Sequence, residues 1–349
     1  MNKKYDYGIV IGRFQPFHLA HQDLINHALS LSEKVIVILG SARSAPDVKN
    51  PFTPAMREEI IRACYPKESE RLIFHAVRDY PYNDHIWTAE VQNIVNQIVE
   101  NDELEHEKIA VVGFFKDKSS YYLNLFPQWK FEEFYCADKR NLTINATQIR
   151  EKYFAGDNSW QKLVPKTVGN YLNAFQQTDF YPNLKSEFAY LEKYREDTRF
   201  VGVPYKPVFI TTDAVVIQSG HVLVIRRGFQ PGKGLLALPG GFLAPESTME
   251  DSAIRELKEE TQIKVPAAVL RGSIKNQKAF DYPERSQRGR TVTFAYYIEL
   301  EPSLKDGLPK VKGGDDAKKA FWLPLSALGD KEDEFFEDHI HIIRYFLGM

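Results

Sequence analysis

The chain has 349 residues, enough for about two domains that each bury a core of their own. Its 43% hydrophobic and 26% charged content is that of a globular protein, and a net charge of -2 gives no electrostatic reason to expect nucleic acid or an anionic membrane as partner. No apolar run approaches the roughly 20 residues of a bilayer span, no apolar signal core follows the basic start, and Cys64 and Cys136 match no zinc or redox spacing, so a cytoplasmic protein with two small buried thiols is expected.

In chain order, the first half alternates strand and helix. Ile9-Val10-Ile11, Val35 to Leu39 and Ile109 to Val112 are short continuous apolar runs, the pattern of strands covered on both faces. Periodic stretches at 19–32, 54–65 and 85–101 predict the helices between them. Such alternation implies a parallel sheet with helices on both sides, whose ligands bind beyond the carboxyl ends of the strands. Past residue 156, a helical stretch with an internal Pro165 leads to a polar, aromatic segment at 176–206, with a linker helix expected at 184–197.

From 208 the pattern is β-rich. Asp213 to Ile217 and Val222 to Ile225 flank Ser219-Gly220 and predict a hairpin. A helix at about 248–261, a strand at Thr291–Glu299 and a closing amphipathic helix at 331–347 follow, giving a compact α+β domain.

Two segments carry chemistry. The first strand runs into Gly12-Arg13-Phe14-Gln15-Pro16-Phe17-His18-Leu19-Ala20-His21. A strand-loop-helix junction offers backbone N–H groups and the positive end of a helix dipole to phosphates. Imidazoles at 18 and 21 fall on one side of the loop and first helical turn, where both can donate to a triphosphate and its transition state. Gly12 allows close backbone approach. A matching turn, Ile144-Asn145-Ala146-Thr147-Gln148-Ile149-Arg150, precedes a short helix ending at Gly156. Asn145 or Thr147 can cap that helix, and Arg150 would lie one turn in, aimed at the same phosphates.

Downstream, Gly240-Gly241 leads towards Arg255-Glu256-Leu257-Lys258-Glu259-Glu260. Acids at offsets 0, 3 and 4 share one helical face and repel unless a cation neutralises them, so Mg2+ or Mn2+ is the natural occupant of Glu256, Glu259 and Glu260. Arg255 can pair with a neighbouring acid and orient it.

The first segment resembles the nucleotidyltransferase superfamily, with its His-x-x-His loop and C-terminal Ser/Thr-x-x-Arg turn, and within it the archaeal-type nicotinamide mononucleotide adenylyltransferases. Residues 12–18 reproduce that group's opening, and Asn50-Pro51-Phe52-Thr53, Asn83-Asp84-His85-Ile86-Trp87 and Lys116-Asp117-Lys118-Ser119-Ser120-Tyr121-Tyr122 match further stretches. The resemblance covers residues 6–156. It implies that ATP and nicotinamide mononucleotide give NAD and pyrophosphate, with Arg13, His18, His21 and Arg150 stabilising charge. Gly12, Phe14, Asp84, Trp87, Lys116, Asn145 and Thr147 would line the substrate site. Trp87 would stack on the nicotinamide ring, a sound partner for a flat cation, although its place in a helix also suits a core residue. Asn145 stands where many relatives have serine.

The second segment resembles the Nudix box, Gly-x5-Glu-x7-Arg-Glu-U-x-Glu-Glu-x-Gly-U with U aliphatic. Ser247 occupies the first glutamate position, with Glu246 one residue early, and Gln262 occupies the late glycine position. The metal-binding core is intact. Ser286 to Thr291, with Arg288, and Gly313-Gly314-Asp315-Asp316-Ala317 are similar to segments of ADP-ribose-cleaving Nudix domains fused to such adenylyltransferases.

The whole chain thus resembles the bacterial bifunctional adenylyltransferase/ADP-ribose pyrophosphatase. The expected fold class is α/β: a Rossmann-like parallel-sheet nucleotidyltransferase domain over 1–183, a linker helix and extended segment over 184–206, and an α+β Nudix domain over 207–349. ADP-ribose would yield AMP and ribose 5-phosphate, with Asp315 or Asp316 helping the attacking water. The alternative is an adenylyltransferase carrying a Nudix-like domain that senses a ligand without cleaving it. The expected partners are ATP, nicotinamide mononucleotide, NAD and ADP-ribose, with no nucleic acid or membrane; a homo-oligomer is compatible with the sequence.

Overall fold

The computed structural model describes residues 3–102, 108–115, 118–134, 143–195, 206–302, 307–314 and 316–349. The chain divides into two compact units, Met1–Lys185 and Ser186–Met349.

In the first unit, β1 (Tyr5–Gly12), α1 (Leu19–Leu31), β2 (Ser32–Ala42), α2 (Pro54–Cys64), β3 (Leu72–Arg78), α3 (Asp84–Glu100), β4 (Ile109–Gly113) and β5 (Lys130–Glu133) alternate, followed by α4 (Ala146–Ala155) and α5 (Lys166–Phe175). The strands form one sheet of order β3-β2-β1-β4-β5, every pair parallel. This is the expected parallel architecture. The strand order reverses beside β1, where Gly12 lies level with Leu39 of β2. That reversal opens the crevice in which such sheets bind ligands.

The central strands are apolar because both faces are covered, with Tyr7, Ile9, Ile36, Ile38 and Val111 packing against Val91, Ile94 and Val95 of α3. Sequence reading missed β3 and β5. Both are edge strands, and their polar-interrupted sequences LIFHAVR and KFEE lack the apolar run of a central strand. Pro165 does not interrupt a helix as expected. It stands at the N-cap of α5, where its missing N–H costs nothing. Cys64 is half-buried, and burial pushes its thiol up to about 11, whereas Cys136 lies outside the described residues. Helix α6 (Phe180–Arg195) spans the division between the units.

The second unit contains β6 (Phe209–Gln218), β7 (His221–Arg227), β8 (Leu236–Ala237), β9 (Gly240–Phe242), α7 (Met249–Thr261), α8 (Ala267–Gly272), β10 (Ile274–Phe280), β11 (Thr291–Glu299), β12 (Ala317–Pro324) and α9 (His339–Leu347). Its mixed sheet runs β10-β11-β6-β7-β12, with β8 on β7 and β9 on β6. The predicted hairpin is β6–β7, turned by Ser219 at φ 47° and Gly220 at φ 71°, the left-handed pair that matches strand twist. One face of α7 (Ala253, Ile254, Leu257) packs on Ala214, Val216, Leu223 and Ile298, which leaves the acidic face turned towards the Gly240-Gly241 loop, where Glu260 bonds Gly240.

The closing helix is shorter than its periodicity predicts. Residues 332–334 make a single 3-10 turn, Phe336 N–H donates to the Leu236 carbonyl at 2.8 Å, and α9 starts only at His339. An edge strand with unpaired carbonyls captured backbone that the apolar pattern had assigned to a helix. Among the described residues, no helix is long and apolar enough to cross a membrane.

Candidate active sites

The first site grows from the end of β1. Phe14 takes φ 52°, turning its ring back over Gly12, where a Cβ would come within 2.9 Å of the ring. Glycine is therefore required at 12 by the fold of the loop on itself. Gln15 is buried, and its amide makes a two-way bond with the Phe52 backbone: Nε2 donates to the carbonyl at 2.8 Å and Oε1 accepts the N–H at 3.0 Å. The 50–53 stretch, noted in the sequence as a match, thus clamps the loop. Thr53 then caps α2.

His18 stands at the N-cap of α1 and His21 lies in its first turn, with the two imidazoles stacked at 3.6 Å between centroids. Phe14 meets His21 edge-on at 4.8 Å and is itself buried. Its ring thus packs against the imidazole of His21.

The distal turn reaches the same loop. Asn145 caps α4 by accepting the Gln148 N–H at 2.9 Å, so Asn145 and not Thr147 is the cap. Thr147 Oγ1 instead accepts from Arg150 Nη2 at 3.2 Å, and Arg150 Nη1 donates to the Gln15 carbonyl at 2.6 Å. Residues 135 positions apart are thereby joined.

Sequence reading missed Arg57 on α2. It is 1% exposed, and its Nη1 donates to the carbonyls of Arg13 at 2.7 Å and Gly40 at 2.6 Å, tying the ends of β1 and β2 together. Burial, with a smaller push from the charge of Arg13, lowers both Arg57 and Arg150 to about 10. Three arginines thus concentrate positive charge around one glycine loop. A lone arginine inside an amphipathic helix carries no sequence signal for this.

Asp84 begins α3, and its Oδ2 accepts the Tyr121 hydroxyl at 2.8 Å. Trp87 is half-buried at the border of the core, edge-on to Tyr122 at 6.0 Å. Lys116 lies outside the described residues.

The second site centres on the Leu238-Pro239-Gly240-Gly241 loop and α7. Gly240 pairs with Asp213 and Gly241 with Thr212 across β9–β6. A Cβ at Gly240 would collide with the Thr212 carbonyl, and one at Gly241 would lie 2.7 Å from the carboxyl carbon of Glu256. Both glycines are demanded by space. Gly241→Ala is therefore expected to displace Glu256 and slow any hydrolysis at this site by roughly 100-fold, the cost of misplacing a reacting group by about 1 Å. Product release per enzyme, set against the untouched first site, measures this.

Thr248 caps α7 by accepting the Asp251 N–H. Arg255 pairs with Glu256 through Nη2 and with Glu259 through Nη1, both at 2.7 Å, so it orients two acids. Glu260 is buried and accepts the Gly240 N–H at 2.9 Å. Burial raises its carboxyl to about 8 against the lowering pull of that hydrogen bond. Gln262, in the late glycine position, takes φ 45° and closes the helix in the left-handed conformation that glycine adopts more cheaply.

Gly314 N–H donates to the Glu260 carbonyl at 3.0 Å, which docks the 313–317 segment on the end of α7. Asp316 is exposed there, its own carbonyl accepting the Gly228 N–H; Asp315 lies outside the described residues. Arg288 sits over the Phe242 ring at 5.2 Å, with Glu337 Oε2 at 3.7 Å. Asp213, Arg227, Phe336 and Glu337 join this neighbourhood without any local motif to announce them.

A divalent cation suits the donor chemistry: three carboxylates on one helical face, one of them buried and disfavoured as a bare anion. Among the described residues, however, no three His, Cys, Asp or Glu groups are assembled to hold a metal. Arg255 draws Glu256 and Glu259 to itself and Gly240 draws Glu260, so cation binding has to compete with these bonds.

A parallel-sheet unit with a stacked His-x-x-His loop and a mixed-sheet unit with a glycine-gated acidic helix define a two-domain nucleotide enzyme class. The cytidylyltransferase-like family matches residues 9–152 and the NUDIX domain matches residues 208–346. The chain is 37% identical over 186 residues to the nicotinamide/nicotinic acid mononucleotide adenylyltransferase of Acinetobacter baylyi, covering 53% of this chain and 94% of that protein. It is 29% identical over 138 residues to the ADP-ribose pyrophosphatase of Methanocaldococcus jannaschii, covering 40% and 72%. The crystal structure of a bifunctional NMN adenylyltransferase/ADP ribose pyrophosphatase from Francisella tularensis, complexed with AMP and a manganese ion, aligns over 99% of both chains with 35% identity and a TM-score of 0.86. This chain belongs to the family of bifunctional NMN adenylyltransferase/ADP-ribose pyrophosphatases.

Proposed function

We infer that the chain makes NAD at its first site and cleaves ADP-ribose at its second. The observation that carries the first activity is the convergence of Arg13, Arg57 and Arg150 around the loop bearing His18 and His21. An oxygen of the mononucleotide's phosphate bonds to the α-phosphorus of ATP, the bond from that phosphorus to the bridging oxygen breaks, and pyrophosphate leaves. Charge grows on the leaving group and on the α-phosphoryl oxygens. Fixed imidazole and guanidinium donors stabilise that charge without reorganising. No protein nucleophile is needed, because positioning supplies the rest. Asp84 and Trp87 would receive the nicotinamide end, with Lys116 a further substrate-binding residue by the resemblance.

At the second site, water adds across the diphosphate of ADP-ribose, giving AMP and ribose 5-phosphate. Glu256, Glu259 and Glu260 would hold Mg2+, with Mn2+ as a substitute; when bound, the ion supplies Lewis-acid polarisation of the phosphoryl oxygens. Asp316, exposed beside the end of α7, is the candidate to orient the water, and Asp315 is its neighbour in sequence. We place the domain limits at 1–183, 184–206 and 207–349; the family matches at 9–152 and 208–346 support them.

The test is AMP release from ADP-ribose and magnesium by the wild type and by Glu256→Gln. Wild-type release that falls at least about 100-fold in the variant is the expected result. Bound but uncleaved ADP-ribose in the wild type would instead make the second domain a sensor.

A further inference from the structure

The loop that carries Gly240 is held at four backbone groups by partners far away in the chain. The Leu236 carbonyl accepts the Phe336 N–H at 2.8 Å, and the Pro239 carbonyl accepts the Ala214 N–H at 2.9 Å. The Gly240 N–H donates to Glu260 Oε2, and the Leu238 N–H donates to His339 Nδ1, each at 2.9 Å. Two of the four partners are side chains. One is an acid of the second site; the other is an imidazole at the first position of α9.

The reason a side chain is needed at Leu238 lies in the strand beside it. Leu236 and Phe335 form a single parallel bridge. A continued ladder would offer the Leu238 N–H the carbonyl of Phe336. That carbonyl instead accepts the His339 N–H at 3.2 Å, as the chain turns into α9. The His339 ring takes over the missing rung. Leu238 and His339 are both buried, so without the ring this N–H would have no water to turn to.

The bond fixes the state of the ring. A nitrogen that accepts from a backbone amide carries no proton, so His339 is neutral with its hydrogen on Nε2. Burial agrees with this, holding the imidazole below its ordinary basicity against the charges of Asp213 and Asp338. The backbone around the ring is fixed as well. Asp338 makes a buried two-point ion pair with Arg285, at 3.0 and 2.7 Å. Glu337 takes φ 46°, which a non-glycine residue keeps only where its surroundings over-determine it. The Phe336 ring packs 5.6 Å from the imidazole.

We propose that His339 is a positioning residue for the second reaction: through Leu238 it sets the path of Leu238-Pro239-Gly240, so that the Gly240 N–H orients the Glu260 carboxylate for the divalent cation. This rests on the reading of that site as a metal-dependent ADP-ribose pyrophosphatase. Among the described residues, the bond from Gly240 is the hydrogen bond that the Glu260 side chain has. A shift of the loop therefore passes directly to this carboxylate. Outer partners that orient a metal ligand commonly contribute 10- to 100-fold in metal affinity or activity.

The test compares the full-length wild type with His339→Asn, His339→Gln and His339→Leu. Asparagine places a carbonyl oxygen where Nδ1 stands, glutamine carries it one carbon further out, and leucine removes it. ADP-ribose hydrolysis is followed across a magnesium titration, and Mn2+ binding without nucleotide is followed by electron paramagnetic resonance. Adenylyl transfer at the first site serves as the internal control. His339→Leu and His339→Gln are expected to lose about 10- to 100-fold in kcat and to bind Mn2+ more weakly, with KM for ADP-ribose little changed. His339→Asn should stay near the wild type in both readouts. If leucine prevents folding, the two polar variants decide. Wild-type kcat and Mn2+ affinity in His339→Gln, or equal losses in His339→Asn and His339→Gln, overturn the proposal. Should the wild type fail to hydrolyse ADP-ribose, the functional reading falls by itself, and Mn2+ binding then decides the role of His339. Weaker binding by His339→Gln than by His339→Asn supports it, while equal binding, or none by the wild type, ends it.

Discussion

His21→Ala is expected to lower kcat for adenylyl transfer by roughly 100- to 1000-fold, the usual cost of one fixed donor to a developing oxyanion. The ring stacks on His18 at 3.6 Å and caps the edge of Phe14, so its position is set by packing before any substrate arrives. Removing it takes away a donor that needs no reorganisation as charge builds on the transferring phosphoryl group. Ground-state affinity for ATP should change far less, because in the proposed site Arg13 and Arg150 would still face the triphosphate. The variant also leaves a void above Phe14, so packing has to be separated from chemistry. His21→Asn keeps an N–H donor in similar space, and a smaller loss of kcat in that variant assigns the effect to the donor. Pyrophosphate release from ATP and nicotinamide mononucleotide reads both. A kcat drop below about 10-fold in His21→Ala would remove His21 from the catalytic set.

Glu260→Gln should act in opposite directions on function and on stability. The glutamine still accepts the Gly240 N–H that Glu260 accepts at 2.9 Å, so the loop is retained. What disappears is a buried charge whose environment disfavours the ionised form. In chelator at pH 9, where the carboxylate is ionised, the second domain of the variant is expected to melt several degrees higher than that of the wild type. ADP-ribose hydrolysis should fall by about 100-fold or more, because an amide is a poor ligand for a hard divalent cation. Differential scanning calorimetry and AMP release together read the two effects. A destabilised variant with normal turnover would show that Glu260 serves the Gly240 loop alone. Stability given up at a site that needs a buried charge is a common feature of enzymes.

Much of this was legible in the residues because it is local. The strand running into Gly12 and His18, the Asn145-capped turn with Arg150, the Ser219-Gly220 hairpin and the acidic face of α7 are contiguous patterns, each dictated by short-range sterics and periodicity. The Arg255 pairing with Glu259 was likewise visible, since side chains four apart meet on any helix, and Glu256 is the immediate neighbour of Arg255 in sequence.

Other features escaped for definite reasons. Edge strands β3 and β5 carry polar residues because one side of each is unpaired. The start of α9 shifted because the backbone at Phe336 found a partner in Leu236, exactly one hundred positions earlier in the chain. The turn at Phe14, with φ 52°, lays its ring over Gly12, a contact that no local pattern announces.

By itself, then, the sequence determined the two families, their order along the chain and the motifs that mark them, for these follow from patterns a few residues long. Only the tertiary structure decided which distant groups stand beside them: Arg57 under the first loop, Asp213 and Arg227 near Glu260, and Glu337 beside Arg288. Those placements depend on strand order and on carbonyls left unpaired at strand ends, and no local pattern encodes either.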